Sequence, residues 1–204
     1  MIENLISFIV ATAILSFSPG PDNIFVLVQS IVNGKKYGLA TVFGLMSGCL
    51  IHTTLVAFGV STLLKESPNI FFIIKLFGAS YLLFLAYKVY KSDANITFST
   101  ENVQKKTTTQ LFKTGFLMNV LNPKVTIFFL AFFPQFLFSE TISTIVQFYI
   151  LGGLFILVSS IIFSSIAILA GSISVYIKQN KKAGVYLKWM QIVVFIAISA
   201  LILI

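Results

Sequence analysis

The chain has 204 residues, of which 57% are hydrophobic and only 10% are charged, and its mean hydropathy is +0.98. Soluble domains carry about 25% charged residues, so this composition excludes that class and indicates a membrane protein. The net charge of +8 comes from 14 lysines without any arginine, which is typical either of nucleic-acid binding or of a membrane orientation signal. A single cysteine, Cys49, excludes an intrachain disulfide and any zinc site built on cysteines.

Long continuous apolar stretches, without strict alternation of apolar and polar residues, predict transmembrane helices. A helix needs about 20 apolar residues to cross a hydrocarbon core about 30 Å thick. Six stretches satisfy this requirement, at residues 5–31, 39–64, 70–89, 115–138, 144–173 and 185–204. The last is only just long enough and holds Lys188 and Gln191 near its start, so five crossings are the alternative. The predicted fold class is an all-α membrane protein.

The first stretch is interrupted near its middle by the sequence Ser18-Pro19-Gly20-Pro21-Asp22-Asn23. Proline cannot continue a regular helix, so we expect two half-helices joined by an unwound segment. The fourth stretch has a corresponding interruption at Asn119-Val120-Leu121-Asn122-Pro123-Lys124. A non-helical backbone segment at membrane depth is tolerated only where it is buried in protein or lines a cavity. Breaks at corresponding places in two spans indicate the central site of a transporter. A simple proline kink is the alternative for either break.

The second and third stretches each contain an ionisable residue of interest, His52 and Lys75. His52 lies near the centre of the second, where an imidazole can exchange protons near neutral pH or act only as a hydrogen-bonding group. Lys75 lies a turn or two inside the third from its outer end, and snorkelling of its ammonium group to the surface is the simpler explanation. Gly44 and Gly48 have the spacing that lets helices approach closely, which predicts packing rather than activity.

Lysines in the loops and at the adjoining ends of the apolar stretches follow an alternating pattern. The odd-numbered loops hold eleven of them: Lys35, Lys36, Lys88, Lys91, Lys105, Lys106, Lys113, Lys178, Lys181, Lys182 and Lys188. The even-numbered loops hold only Lys65. Lysine-rich short loops face the cytoplasm, so the distribution predicts six crossings with both termini outside. Orientation accounts for the positive charge, and no soluble module is left that could bind nucleic acid.

A polar stretch at about 92–113 divides the chain nearly in half and is predicted to be a cytoplasmic linker. Each half, at about 1–91 and 114–204, then contains three spans. An odd number of spans makes the second half enter the membrane in the opposite sense. The predicted architecture is a single transmembrane transporter domain, 1–204, built from two inverted three-helix repeats whose first and fourth spans are broken at proline.

Asp22 and Lys124 are the charges of greatest interest, because a charge at the bilayer centre costs about 3 kcal/mol on insertion scales. Asp22 is the only acid well inside an apolar stretch, and Lys124 is its approximate counterpart in the other half. If the two breaks meet, these charges could offer a carboxylate to a substrate amine and an ammonium group to a substrate carboxylate, as a zwitterion requires. A salt bridge that merely joins the halves is equally compatible with the sequence.

The chain resembles the LysE/RhtB family of bacterial amino-acid exporters over almost its whole length, and its homoserine/threonine branch most. The motifs that carry this resemblance are Ser18-Pro19-Gly20-Pro21, Gly34-Lys35-Lys36, the segment 44–52 with Gly44, Gly48 and His52, Lys75-Leu76-Phe77-Gly78-Ala79-Ser80-Tyr81-Leu82, the segment 119–124, and Phe133-Pro134-Gln135-Phe136. The resemblance implies a six-span carrier of the bacterial inner membrane that expels amino acids, driven by the proton motive force.

These observations predict a substrate site at the bilayer midplane, formed by Ser18, Pro19, Gly20, Pro21, Asp22, Asn23, Asn119, Asn122, Pro123 and Lys124. Asp22, His52 and Lys75 are the candidates for proton coupling, since the family pattern gives Lys75 a role beyond snorkelling. The expected partners are a small amino acid, protons and the lipid bilayer, and a homodimer is compatible with this class. We expect no enzymatic activity, cofactor, metal or nucleic acid. A passive channel lined by the same broken helices is the alternative function.

Overall fold

The computed structural model describes residues 2–62, 67–93, 106–180 and 182–203. Within these ranges the chain forms helices and no strand. The helices are α1 (Ile2–Phe17), α2 (Pro21–Asn33), α3 (Lys35–Leu55), α4 (Pro68–Lys91), α5 (Thr108–Val120), α6 (Pro123–Ile127), α7 (Thr144–Ile168), α8 (Ala170–Gln179) and α9 (Ala183–Leu203). The predicted all-α membrane class is confirmed.

Both predicted breaks are present. The chain bends by 59° between α1 and α2, across residues 18–20, and by 48° between α5 and the helical segment Pro123–Phe136, across residues 121–122. In each case proline is the first residue of the second half-helix, where its missing N–H group would have had no helical partner. The chain therefore changes direction at each break, and the proline there removes no hydrogen bond from the second half-helix.

Four of the described helices are long and apolar enough to cross a membrane alone, and the number rises to six when each bent pair is one span. The last helix, α9, has 21 residues and meets this requirement, which favours six crossings over five. The fifth stretch ends earlier than predicted, because α7 stops at Ile168 and Leu169 separates it from α8. At 1.5 Å per residue, the 25 residues of α7 already extend about 37 Å and can span the bilayer without α8.

The segment that follows α6 is irregular and very apolar. It continues as a wide π-helical turn, Phe128–Phe132, and ends in a narrow turn, Phe133–Phe136, that contains Pro134. Four of its phenylalanines are almost completely buried, at positions 128, 129, 132 and 133. Their rings pack edge to face or stacked against one another and against Phe155 of α7. This cluster forms the apolar core beside the second break.

Helices α3 and α5 approach each other closely, and glycines of each helix face the partner's backbone. A Cβ atom at Gly44 would collide with the carbonyl group of Phe112, and one at Gly115 would collide with the carbonyl group of Thr41. A Cβ atom at Gly48 would likewise meet a side chain of α5 at 2.7 Å. The packing role predicted for Gly44 and Gly48 is confirmed, and it brings the two halves of the chain together.

Helix α4 lies at the edge of the bundle and packs mainly along α9. Many of its large apolar side chains are exposed: Ile70, Phe72, Ile73, Leu76, Phe77, Leu83 and Phe84. Such a helix is stable where its outer face meets lipid. The centre of the bundle therefore consists of the two broken spans with α3 and α7.

The start of α5 falls within the stretch predicted as linker. The Thr107 hydroxyl accepts from the Gln110 N–H, and the Gln110 side chain accepts from the Thr107 N–H, which forms a capping box at the start of α5. Residues 94–105 of that stretch lie outside the described residues, as do Lys65 and Lys181. The division of the chain into inverted repeats stays a prediction.

Candidate functional site

One lysine side chain connects the two breaks. Lys124 Nζ donates to the carbonyl oxygens of Leu15, at 3.2 Å, and Ser18, at 3.1 Å. The helical partner of the Leu15 carbonyl would be the N–H group of residue 19, but Pro19 has none. The end of a helix also carries partial negative charge. The ammonium group of the second half therefore both satisfies and neutralises the end of α1.

Asp22 and Asn122 form a second link between the breaks. Asn122 Nδ2 donates to Asp22 Oδ2 at 2.6 Å, and each of the two side chains is only 8% exposed. Asn122 Oδ1 accepts from the backbone N–H of Lys124 at 3.0 Å and thereby caps α6. Asp22 is the second residue of α2, whose N-terminal partial positive charge stabilises a carboxylate.

Asp22 and Lys124 occupy equivalent positions, each directly after the proline that begins a half-helix. No nitrogen–oxygen contact within 4.0 Å joins their charged groups in the described part of the chain, so the salt bridge considered from the sequence is not formed. The carboxylate faces a neutral carboxamide and the ammonium group faces neutral carbonyls. Each charge is therefore hydrogen-bonded to neutral groups and makes no direct contact with the other.

The other polar residues of the first break also serve its backbone. Asn23 Nδ2 donates to the carbonyl oxygen of Ser16 at 2.8 Å, which satisfies a further carbonyl at the end of α1. Ser18 Oγ is fully buried and has no hydrogen-bond partner among the residues that the structure describes. A buried hydroxyl without a partner is uncommon in proteins and marks a place where water or a ligand can bind.

A cavity of about 30 Å³ lies between the breaks. Seven of the predicted site residues line it: Gly20, Pro21, Asp22, Asn23, Asn119, Asn122 and Lys124. Ser18, Pro19 and Pro123 do not line this cavity. Its volume corresponds to about two or three water molecules, so an amino acid fits only if the breaks move apart.

Helix α7 contributes wall residues that the sequence analysis missed. Phe155, Ser159 and Phe163 are spaced by four, lie on one face of α7 and line the cavity. Ser159 Oγ lies 2.9 Å from Ser16 Oγ. The available signal was a polar pair, Ser159 and Ser160, within an apolar stretch. Because α7 is apolar on all sides, the sequence pattern did not reveal which face turns toward the breaks.

A second, wider cavity of about 350 Å³ reaches the breaks from one end of the molecule. Its inner wall is formed by residues of both breaks: Gly20, Pro21, Asn122, Pro123 and Lys124. Its outer wall comes from α4 and α9 and includes Lys88, Ser92 and Gln191. We call this cavity the vestibule. The breaks are thus approached from the end of α4 that leads into the predicted linker.

His52 lies behind the cavity wall and contacts it through Asn119. Its Nε2 is 3.1 Å from the carbonyl oxygen of Asn119, and since a carbonyl can only accept, Nε2 is the donor. Asn119 Nδ2 in turn donates to Cys49 Sγ at 3.4 Å. Asn119 Oδ1 packs against Gly48 and has no partner among the described residues. His52 is therefore a neighbour of the site rather than part of its surface.

Lys75 lies elsewhere. It is half-buried in an open groove of about 910 Å³ between α1, the segment Phe133–Phe136 and α9. None of the residues that line this groove lines the central cavity. The structure therefore brings Asp22 close to Lys124, Asn122 and Asn119, but does not bring Lys75 to them. Within the described ranges, no group of three or more His, Cys, Asp or Glu side chains is arranged to hold a metal ion.

In the described part of the chain, four apolar helices and two bent helix pairs surround a buried polar centre, and both bends lie at that centre. This arrangement defines a multi-pass membrane transport protein. A family model described as "LysE type translocator" matches residues 13–204. The chain belongs to the LysE-type translocator family and is a membrane-embedded exporter rather than an enzyme. The family resemblance predicted from the sequence motifs is confirmed.

Two relatives carry the same name, homoserine/homoserine lactone efflux protein. The one from Salmonella typhimurium strain LT2 is 33% identical over 176 residues, which are 86% of this chain and 84% of the relative. The one from Salmonella typhi is 34% identical over the same lengths. No solved structure gives a significant match to the chain.

Proposed function

We propose that this protein exports small neutral amino acids of the homoserine and threonine type, in exchange for protons, by alternating access to a site between the two breaks. The observation that carries the proposal is one cavity lined by a buried carboxylate and a partly buried ammonium group that make no direct contact with each other. The names of the two relatives support homoserine as a member of the substrate class.

The charges of the cavity complement those of a zwitterion. Asp22 binds the amino group, and Lys124 binds the carboxylate together with the N-terminal ends of α2 and α6, which carry partial positive charge. Because Asp22 is negative and Lys124 is positive, the side chains that line the central cavity carry no net charge. A substrate with a third charge would bring an unpaired charge into a buried site, which is costly. Neutral amino acids are therefore favoured over lysine or glutamate.

Two cavities of different size support a carrier that alternates between states. The central cavity is too small for an amino acid, whereas the vestibule of about 350 Å³ reaches the same break residues. Lys88 lines the vestibule near the lysine-rich linker, so the vestibule opens to the cytoplasm, the side from which an exporter takes its substrate. Substrate contacts to Asp22 and Lys124 would replace the hydrogen bonds that join the breaks and let the halves move.

Proton coupling is assigned to Asp22, which alternately binds a proton and the substrate amine. It is the only one of the three candidates that lines the central cavity. His52 acts on that cavity through Asn119, and Lys75 lies in a separate groove. An acid inside a membrane span is a common proton carrier in transporters. The proposed location is the bacterial inner membrane with both termini outside, and a homodimer stays a prediction.

The test is transport by the purified protein in proteoliposomes, with labelled homoserine or threonine and an imposed pH gradient. The wild type should accumulate the amino acid against its concentration gradient, and a protonophore should abolish this accumulation. Asp22→Asn and Lys124→Met should each reduce it about tenfold or more, because a hydrogen bond to a charged group contributes about 1.5–3 kcal/mol.

Glu3→Gln and Lys113→Met are the matched controls, since both side chains are exposed and outside the site. They should leave accumulation unchanged. Full accumulation by both Asp22→Asn and Lys124→Met would contradict the assignment of the site. A wild type that only equilibrates the amino acid, without uphill accumulation, would instead favour the passive channel.

A further inference from the structure

Two serines from distant parts of the chain form a buried hydroxyl pair in the wall of the central cavity. Ser16 Oγ and Ser159 Oγ are 2.9 Å apart, and their residues are 4% and 1% exposed. Ser16 belongs to the end of α1 and Ser159 to α7, so the pair joins the first break to the opposite wall. Both residues line the cavity that Asp22 and Lys124 also line.

The pair differs from many of the other serines and threonines in the helices. A hydroxyl within a membrane helix finds its nearest partner in the carbonyl four residues earlier in the same helix. Ser30, Ser47, Thr53 and Ser165 all donate to that carbonyl. In the described structure the hydroxyls of Ser16 and Ser159 do not donate to a carbonyl of their own helix. Each hydroxyl has only the other as its hydrogen-bond partner. One of the two hydroxyl hydrogens is therefore left to donate elsewhere.

Besides Asn23, whose amide donates to the Ser16 carbonyl, the wall near the pair is apolar. Leu15, Phe155 and Phe163 line the same cavity and leave no charged side chain there besides Asp22 and Lys124. The charged residues match the amino and carboxylate groups that all amino acids share, so they cannot distinguish one neutral side chain from another. The hydroxyl pair, set between Leu15, Phe155 and Phe163, matches a short side chain that carries a hydroxyl group.

We propose that Ser16 and Ser159 form the side-chain subsite, which selects amino acids with a short hydroxyl-bearing side chain over aliphatic ones of the same size. This inference rests on the proposed export of neutral amino acids. The substrate hydroxyl takes the free hydrogen of the pair and donates its own to a serine oxygen. An aliphatic analogue leaves the pair without that partner, and a site built for a hydroxyl disfavours ligands that lack it.

Threonine and valine are the appropriate probes, because they differ only in a hydroxyl in place of a methyl group. Wild-type proteoliposomes, given both labelled amino acids at equal concentration, should transport threonine in preference to valine. Ser159→Ala should lower the ratio of threonine to valine about five- to tenfold, the value of one hydrogen bond. Ser16→Ala removes the other hydroxyl and should lower the ratio in the same direction.

Ser165→Ala is the matched control, since Ser165 lies on the exposed side of the same helix and donates to its own backbone. It should leave the ratio at the wild-type value. Asp22→Asn should reduce transport of both amino acids together without changing their ratio, which separates loss of the common site from loss of the subsite.

Three outcomes would overturn the subsite. The first is a wild type that transports the two amino acids equally. The second is an unchanged ratio in both Ser159→Ala and Ser16→Ala. The third is an equal fall of the ratio in Ser165→Ala. A wild type that transports neither threonine nor valine, nor any neutral amino acid, would refute the proposed function itself, and the subsite with it.

Discussion

Polar side chains at the breaks provide hydrogen bonds that a continuous helix would form within its own backbone. Lys124 donates to the carbonyls of Leu15 and Ser18, and Asn23 donates to that of Ser16. Deep in a bilayer, each unsatisfied carbonyl would cost several kcal/mol. The residues proposed to bind substrate thus also hold the helix ends. A substrate that recruits Asp22 and Lys124 necessarily weakens the contact between the two halves.

His52 yields a prediction at the same scale. Its Nε2 donates to the Asn119 carbonyl at the end of α5, and a glutamine side chain can make the same donation without titrating. We therefore expect His52→Gln to retain export driven by a pH gradient, and His52→Leu to reduce it about fivefold through the lost hydrogen bond. The measurement is uphill accumulation in proteoliposomes, compared with exchange of labelled for unlabelled substrate.

The comparison with exchange separates two roles of His52. Exchange needs no net proton movement, so it reports on binding and on the conformational change alone. If His52→Gln kept exchange but lost uphill accumulation, His52 would be the proton carrier and the assignment to Asp22 would be wrong.

Glycines determine how closely the elements can pack. Gly44 and Gly115 place α3 and α5 in direct backbone contact, which aligns Asn119 on α5 with Cys49 and His52 on α3. The second break begins directly after Val120, the last residue of α5. The position of Asn122 and Lys124 is therefore set by the packing of α5 on α3. In the first half, Gly34 has a φ of 99°, which makes the sharp turn between α2 and α3 possible.

The prediction at the level of elements concerns Gly115. Alanine normally stabilises a helix relative to glycine by up to about 1 kcal/mol. At Gly115 a Cβ atom would collide with the Thr41 carbonyl, and such overpacking costs about 1–3 kcal/mol. We expect Gly115→Ala to lower the temperature at which the detergent-solubilised protein aggregates. Gly153→Ala is the control, because a Cβ atom at Gly153 has no neighbour within 4 Å. Equal stability of the two variants would contradict the close packing of α3 and α5.

For the whole molecule, charge distribution and cavity shape support the same orientation. The vestibule lies at the end of the bundle where Lys88 and Lys91 end α4, and where Lys188 of α9 donates to the carbonyl of Ser92 at 2.7 Å. Lysine-rich ends of spans face the cytoplasm. An exporter must collect substrate on that side, so the proposed direction of transport and the proposed orientation agree.

Alkaline phosphatase fusions test this orientation, because the enzyme is active only outside the cytoplasm. We expect activity for fusions after Glu140, between α6 and α7, and after Ile204. A fusion after Asp93, at the end of α4, should be inactive, whereas a green fluorescent protein at the same place should fluoresce. An inactive fusion after Ile204 combined with an active one after Glu140 would indicate five crossings. Reversal of all three results would indicate the opposite orientation.

Local signals account for most of what the sequence predicted. Apolar length marked the spans, because the thickness of the bilayer fixes the number of residues needed to cross it. Proline marked the breaks, because its missing N–H group and fixed φ angle act wherever it stands. Asp22 and Lys124 were recognised because charged residues are rare inside the apolar stretches. The motifs around them were sufficient to indicate the family, which the match over residues 13–204 confirms.

Tertiary structure alone decided which groups meet. The sequence left open a salt bridge between Asp22 and Lys124, but packing turned the ammonium group to the carbonyls of α1 and gave the carboxylate to Asn122. It also turned Ser159 toward the cavity. The physical reason is that these helices are apolar on nearly every face, so no periodicity records their rotation, which is set by contacts with neighbouring helices. The sequence determined where the membrane helices break, and their packing determined what the breaks can bind.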